Sequence, residues 1–242
     1  MTKFSAIQAR GGPTAFDEGA SRRGGGRTRR ANEARILEAA EAVFAEAGFT
    51  GASMQAIAER AGLPKANLHY YFGTKEGLYR ALLARILDMW VDAFDHIVPA
   101  RDPADALSAY ISDKMHWSRT RPLASKVFAN EIVHGAQQIE PYLSGKLRQT
   151  VKDKSVVIEG WIASGRMAPI DPAHLFFGLW ALTQTYADFD VQVRAVLGRE
   201  RLTDADHDHA TRQVTALVLR GCGLADPADG KAAASVSNPP SL

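Results

Sequence analysis

Leu78, Leu82, Ile86, Trp90 and Phe94 recur every fourth residue after Thr74. That spacing lays five large apolar side chains along one face of a helix, whereas a strand would scatter them on period two. Thr74 stands where an N-cap belongs, with a hydroxyl able to accept a helix-start N–H. The same period runs through Ile36, Ala39, Ala40, Val43, Phe44 and Ala47, and Gly48 ends it. Ser53 predicts the cap of a short helix over 54–61, with Ile57 and Ala58 inward and Gly62 as the stop. Pro64 opens another, where its missing N–H does no harm. Further helices are expected at about 103–119, 122–135, 141–165, 171–189 and 204–221. No stretch alternates for long enough to make a strand. The expected fold is all-α, with an N-terminal three-helix helix-turn-helix head and a larger C-terminal helical domain.

Composition narrows the setting. Hydrophobic residues make up 46% and charged residues 23% of 242, ordinary for a soluble globular protein. No apolar run approaches the roughly 20 residues that span a bilayer, so no membrane partner is expected. The N-terminus has no apolar signal core. Cys222 is the only cysteine, so an intrachain disulfide is impossible, and a reducing cytoplasm fits. Charge is unevenly spread: residues 1–30 hold seven Lys or Arg against Asp17 and Glu18, a net +5, while the whole chain carries +2. The expected organisation is a disordered basic arm over 1–29, a helical head over 30–90 and a larger helical body over 91–222. A disordered tail is expected over 223–242.

The stretch LPKANLHYYFGTKEGL, residues 63–78, has the composition of neither a core helix nor an ordinary solvated one. Buried polar groups need partners, and a solvated helix would favour Glu and Lys. Two short helices joined by a Gly-containing turn, set against a longer one, make a helix-turn-helix spanning about 53–72. Its second helix must offer polar and aromatic groups to a DNA groove. Leu68 and Phe72 would face inward, freeing Lys65, Asn67, His69 and Tyr70. No acidic residue lies between Arg60 and Lys75. Lys65 and Lys75 can meet phosphates, and Asn67 can offer its amide to a base edge.

The run from Ile36 to Tyr79, above all EAGFTGASMQAIAERAGLPKANLHYYFGTKEGLY, resembles the TetR family of transcriptional regulators. Pro64 and Gly73 depart from the usual residues there. By position, the resemblance implies that Ser53, Lys65, Ala66, Asn67, His69, Tyr70 and Lys75 face double-stranded operator DNA.

In the body, Trp180 and Gln184 are four residues apart and share a helix face. A flat ring stacked on Trp180 would meet the Gln184 amide, whose donor and acceptor complement a cyclic lactam edge. RILDMW (85–90), GWIASGRMAPIDPAHL (160–175) and WALTQTYADF (180–189) are similar to the pyrimidine-responsive regulators of the same family. That resemblance implies a uracil effector, with thymine as a second, held by Trp90, Trp180 and Gln184. It also implies a homodimer through helices at about 171–189 and 204–221, repressing pyrimidine-catabolism genes until the pyrimidine arrives. The residues alone leave open another planar heterocycle as effector, or a helical protein-interaction adaptor.

An enzyme is not expected. The chain has no G-x-S-x-G, no strand before GGG at 24–26 and no H-E-x-x-H. No cofactor, metal or catalytic residue is expected. DADHDH at 204–209 reads as an acidic first helical turn favoured by the helix dipole, since His207 and His209 diverge on a helix.

Overall fold

The computed structural model describes the backbone of residues 18–225 and side chains from residue 27. The first 17 residues of the expected basic arm, and the tail beyond residue 225, lie outside the described residues. The described chain is helical and contains no strand.

The head uses α1 (Glu18–Gly51), α2 (Met54–Ala61), α3 (Lys65–Phe72) and the start of α4 (Lys75–Val91). α1 begins within the segment expected to be disordered, because each residue added to an existing helix gains a hydrogen bond. Gly48 leaves the helical region at φ 65° and ψ 176°, so the expected stop holds and one more turn follows it. The Ser53 and Thr74 hydroxyls cap α2 and α4, accepting from the N–H groups of Ala56 and Gly77. Gly62 ends α2 at φ 62°, a left-handed conformation that glycine adopts without strain. Ile36, Phe44, Ile57, Leu68, Leu78 and Leu82 are buried together. Phe72, expected inward, is only partly buried against this core.

The body begins where α4 tightens into a 3-10 turn, Asp92–His96, which still buries Phe94. It continues through α5 (Pro103–Thr120), α6 (Pro122–Val133), α7 (Glu140–Tyr142), α8 (Arg148–Ala163), α9 (Pro172–Asp188), α10 (Asp190–Leu197) and α11 (Asp204–Gly221). α5 lies between α9 and α11, and α8 packs on α9. Tyr110, Trp161, Phe176 and Leu179 form the centre of this second core.

Two expectations change. The helix expected at 141–165 is broken by a π turn, Leu143–Leu147, between α7 and α8. α10 was not foreseen; Val191, Val196 and Leu197 are exposed, so it buries too little to leave a clear apolar period. α11, expected at the dimer interface, also covers the body itself through Ala210, Val214 and Val218. These three are buried against the body's own core, and Leu217 on the same helix stays exposed.

α6 joins the two halves. It contacts α1, α4 and α9, and its Ala124 and Val127 complete the head's core. At its start the Arg121 guanidinium bonds both Glu41 carboxylate oxygens on α1, at 3.4 and 2.5 Å. Glu41 keeps only 10% of its side chain exposed. The pair is a charge-assisted clamp between head and body.

Candidate nucleic-acid face and ligand cavity

α3 presents an outward surface of Lys65, Ala66, His69 and Tyr70, with Asn67 half-buried beside them. Tyr70 is 75% exposed, and its ring stands edge-on to Tyr71 at 5.2 Å. The rest of its ring is left accessible to another molecule. Leu68 is the buried anchor that holds this surface outward. His69 Nδ1 lies 2.8 Å from the Gly73 carbonyl oxygen. A carbonyl only accepts, so Nδ1 carries the proton and Nε2 faces outward, where a neutral ring accepts and a charged one donates. Ser53 is exposed; its cap uses an oxygen lone pair, leaving the O–H free to donate to a phosphate.

Lys75 departs from the expected set. Its ammonium donates to the carbonyls of Phe49 and Ala52 at 2.9 and 3.0 Å and lies over the Phe49 ring at 4.6 Å. The turn between α1 and α2 leaves those two carbonyls without helical partners, and a lysine stem from α4 reaches them. The structure therefore gives Lys75 a structural task, with one N–H remaining. Arg60, beside the turn, is held by Glu46 at 2.8 Å.

Trp90, Trp180 and Gln184 come from α4 and α9, and all three line one cavity that is partly open to solvent. Its volume is about 60 Å³, room for a few waters and well below the size of a typical drug-binding pocket. Trp90 meets the Phe128 ring of α6 edge-to-face at 4.8 Å. Trp180 Nε1 donates to the Tyr110 hydroxyl at 2.9 Å, which fixes the indole plane. The Gln184 side chain is half-buried and no hydrogen bond from it is found among the described residues. The other two tryptophans stand outside the cavity: Trp161 is fully buried in the body, and Trp117 packs on the head's core.

Sequence reasoning missed Tyr110, Lys114, Phe128 and Tyr142, which share this cavity. Only Lys114 left a legible signal. Leu107, Tyr110, Ile111, Met115 and Ser118 form the buried face of α5, so a lysine at 114 occupies a position the helical period assigns to an apolar residue.

DADHDH serves as a helix start. Thr203 and Asp206 form a reciprocal capping box, and among the described residues no group of three His, Cys, Asp or Glu could hold a metal ion. No described helix is long and apolar enough to cross a membrane.

An exposed, acid-free recognition helix behind a tight turn, in an all-helical chain, defines a helix-turn-helix DNA-binding protein. Residues 36–82 match the family of bacterial regulatory proteins, tetR family, and residues 83–225 match the C-terminal region of YcdC-like proteins. The HTH-type transcriptional regulator RutR of Escherichia coli K12 is 41% identical over 186 residues, covering 77% of this chain and 88% of RutR. RutR of Shigella flexneri matches to the same extent. The ketosteroid transcriptional regulator KstR2 of Mycobacterium tuberculosis superimposes with a TM-score of 0.64 at 21% identity, over 78% of this chain and 94% of that one. The chain belongs to the TetR family of transcription regulators and is a homologue of RutR.

Proposed function

We propose that the chain is a repressor that binds operator DNA as a homodimer and releases it when uracil or a related pyrimidine enters the cavity, controlling genes of pyrimidine catabolism. The observation that carries this reading is the meeting of Trp90, Trp180 and the unpartnered Gln184 amide at one small cavity. Two indoles offer stacking faces, and the amide offers one donor and one acceptor to a lactam edge. The small volume favours a single ring over the larger effectors that need several hundred Å³. A regulator that binds chromosomal DNA acts in the cytoplasm.

In this reading Lys65 and Ser53 hold phosphates, while Asn67, His69 and Tyr70, with Ala66 beside them, meet the major groove. Two copies pair through α9 and α11, whose Phe177, Ala181 and Leu217 remain exposed. A two-fold dimer sets its recognition helices about 34–36 Å apart, or a multiple of that. α4 carries Lys75 at one end and Trp90 at the other, a rigid rod of roughly 22 Å at 1.5 Å per residue. A ring wedged between Trp90 and Trp180 moves this rod relative to α9 and so changes the spacing of the two heads. The ligand must bind the DNA-incompetent arrangement better, by about 1–3 kcal/mol in typical cases.

The test is operator mobility shift with calorimetric titration of uracil, thymine, cytosine and a purine. Uracil should release the operator, and Gln184→Ala should weaken uracil by about 10–100-fold, the worth of one or two buried hydrogen bonds, while operator binding persists. Release of that variant at the wild-type uracil concentration would remove Gln184 from the sensor.

A further inference from the structure

Three arginines near the N-terminal end of α1 have no partner in the fold. Arg27, Arg29 and Arg30 are all exposed, and no hydrogen bond or ion pair from any of them is found among the described residues. The head's core begins only at Ile36. Residues 27–35 contain no large apolar side chain, so this stretch of helix overhangs the core and buries nothing against it. The ten residues 21–30, SRRGGGRTRR, hold five arginines and no acid. As a helix the segment works against itself. Gly24, Gly25 and Gly26 lie inside α1 and are poor helix formers, and Arg27 and Arg30, three apart, repel across one turn. The nearest acids along the helix, Glu33 and Glu38, pair with none of the three among the described residues. A polyanion laid along such an overhang removes the repulsion.

Position selects the polyanion. Arg35 reaches from α1 to the turn between α2 and α3, where its guanidinium donates to the Ala61 carbonyl at 2.7 Å. That turn leads into the start of α3, and it is the N-terminal residues of a recognition helix that meet base edges. Arg27, Ala31 and Arg35 are spaced four apart and so share one side of α1. From Arg35 back to Arg27 the helix advances roughly 12 Å, about the width of a major groove. The free arginines thus lie about one groove width from the point where α3 enters, within range of the backbone that borders the groove. Each offers a planar fork of donors suited to phosphate oxygens.

We propose that Arg27, Arg29 and Arg30 form a second contact with duplex DNA, a clamp on backbone phosphates beside the segment that α3 reads. It rests on the assignment of α3 as the reading helix and extends the footprint of each head beyond the helix-turn-helix. Phosphate contacts carry no base information. The clamp therefore strengthens binding to every sequence alike, raises its salt sensitivity and helps fix the register of α3 on the duplex.

The experiment uses the full chain and a duplex that it selects from random-sequence DNA. Affinity is measured against salt, and hydroxyl-radical footprinting shows which sugars the protein shields. The variant Arg27→Gln, Arg29→Gln, Arg30→Gln should bind about 10–100-fold more weakly at physiological salt. Its slope of log affinity against log salt should fall by about 0.9 per lost phosphate, or about 2.7 per subunit. Shielding beside the segment contacted by α3 should disappear, while shielding over that segment stays. Replacing the same three arginines by lysine should keep most of the slope and the footprint, because phosphates accept either cation. Thermal denaturation should be the same for all three proteins. An unchanged slope and footprint in the glutamine variant would overturn the clamp and leave the reading of α3 standing. A loss that lysine does not restore, or that tracks a lowered melting temperature, would make the arginines structural and sink it as well. Lost binding to single-stranded RNA with duplex binding intact would assign the surface to RNA instead. If the unaltered chain selects no duplex, the reading of α3 falls and takes the clamp with it.

Discussion

The outward face of α3 is drawn from six consecutive residues, Lys65 to Tyr70, whereas the cavity is assembled from α4, α5, α6, α7 and α9. The first surface depends on one buried side chain to aim it. The second exists only when five separate segments dock. A change in the head should therefore act locally and through orientation, while a change in the body should act on ligand response and leave DNA binding in place. α6 is where this contrast can fail, because it touches both cores, carries Phe128 of the cavity and begins directly after Arg121 of the clamp.

The largest expected effect breaks the head alone. Leu68 is fully buried, and Leu68→Ala should cost about 2–5 kcal/mol and abolish operator binding. Uracil binding measured by calorimetry should survive, since Leu68 does not line the cavity. Loss of both activities would mean that the two cores fold as one unit and that the contrast is only one of function.

A smaller effect tests the joint. Glu41→Gln leaves the Arg121 guanidinium, 30% exposed, without its counter-charge. Removing one partner of a fully buried pair costs about 3–5 kcal/mol, and the remaining solvent access reduces this to about 1–3. Urea denaturation should report that loss. The concentration of uracil needed to release the operator should also rise, because α6, which packs on both α4 and α9, is then held less firmly to α1 of the head. An unaltered release curve with lowered stability would confine the clamp to a structural role.

The smallest effects sharpen the reading of two lysines. Lys75→Met removes the donors to Phe49 and Ala52, and should cost about 1–2 kcal/mol in thermal denaturation with little change in the salt dependence of operator binding. Lys65→Ala should do the reverse: stability holds, all sequences are bound more weakly, and the slope of log affinity against log salt falls by about 0.9. Were Lys75→Met to reduce that slope by the same amount, its remaining N–H would be reaching a phosphate after all.

Local chemistry made much of the molecule legible before any coordinates. Ser53, Thr74 and Asp171 each cap the helix expected after them, because a capping bond spans only three residues. The period of Leu78, Leu82, Ile86 and Trp90 gave α4 its buried face, since 3.6 residues per turn is a property of the backbone itself. Trp180 and Gln184 could be placed together for the same reason. What lay beyond reach was every relation between distant segments. The sequence carries no distance from Lys75 to the carbonyls of Phe49 and Ala52, so a lysine that caps a turn looked like one that grips a phosphate. Nor could it tell that Ala210, Val214 and Val218 would be spent on α5 within one chain, because an apolar face has the same period whatever covers it. Burial of Lys114 beside Trp90 is of this kind too. Helical period and capping are fixed by neighbours along the chain, but which charges are desolvated, and against what, is decided only when the helices pack.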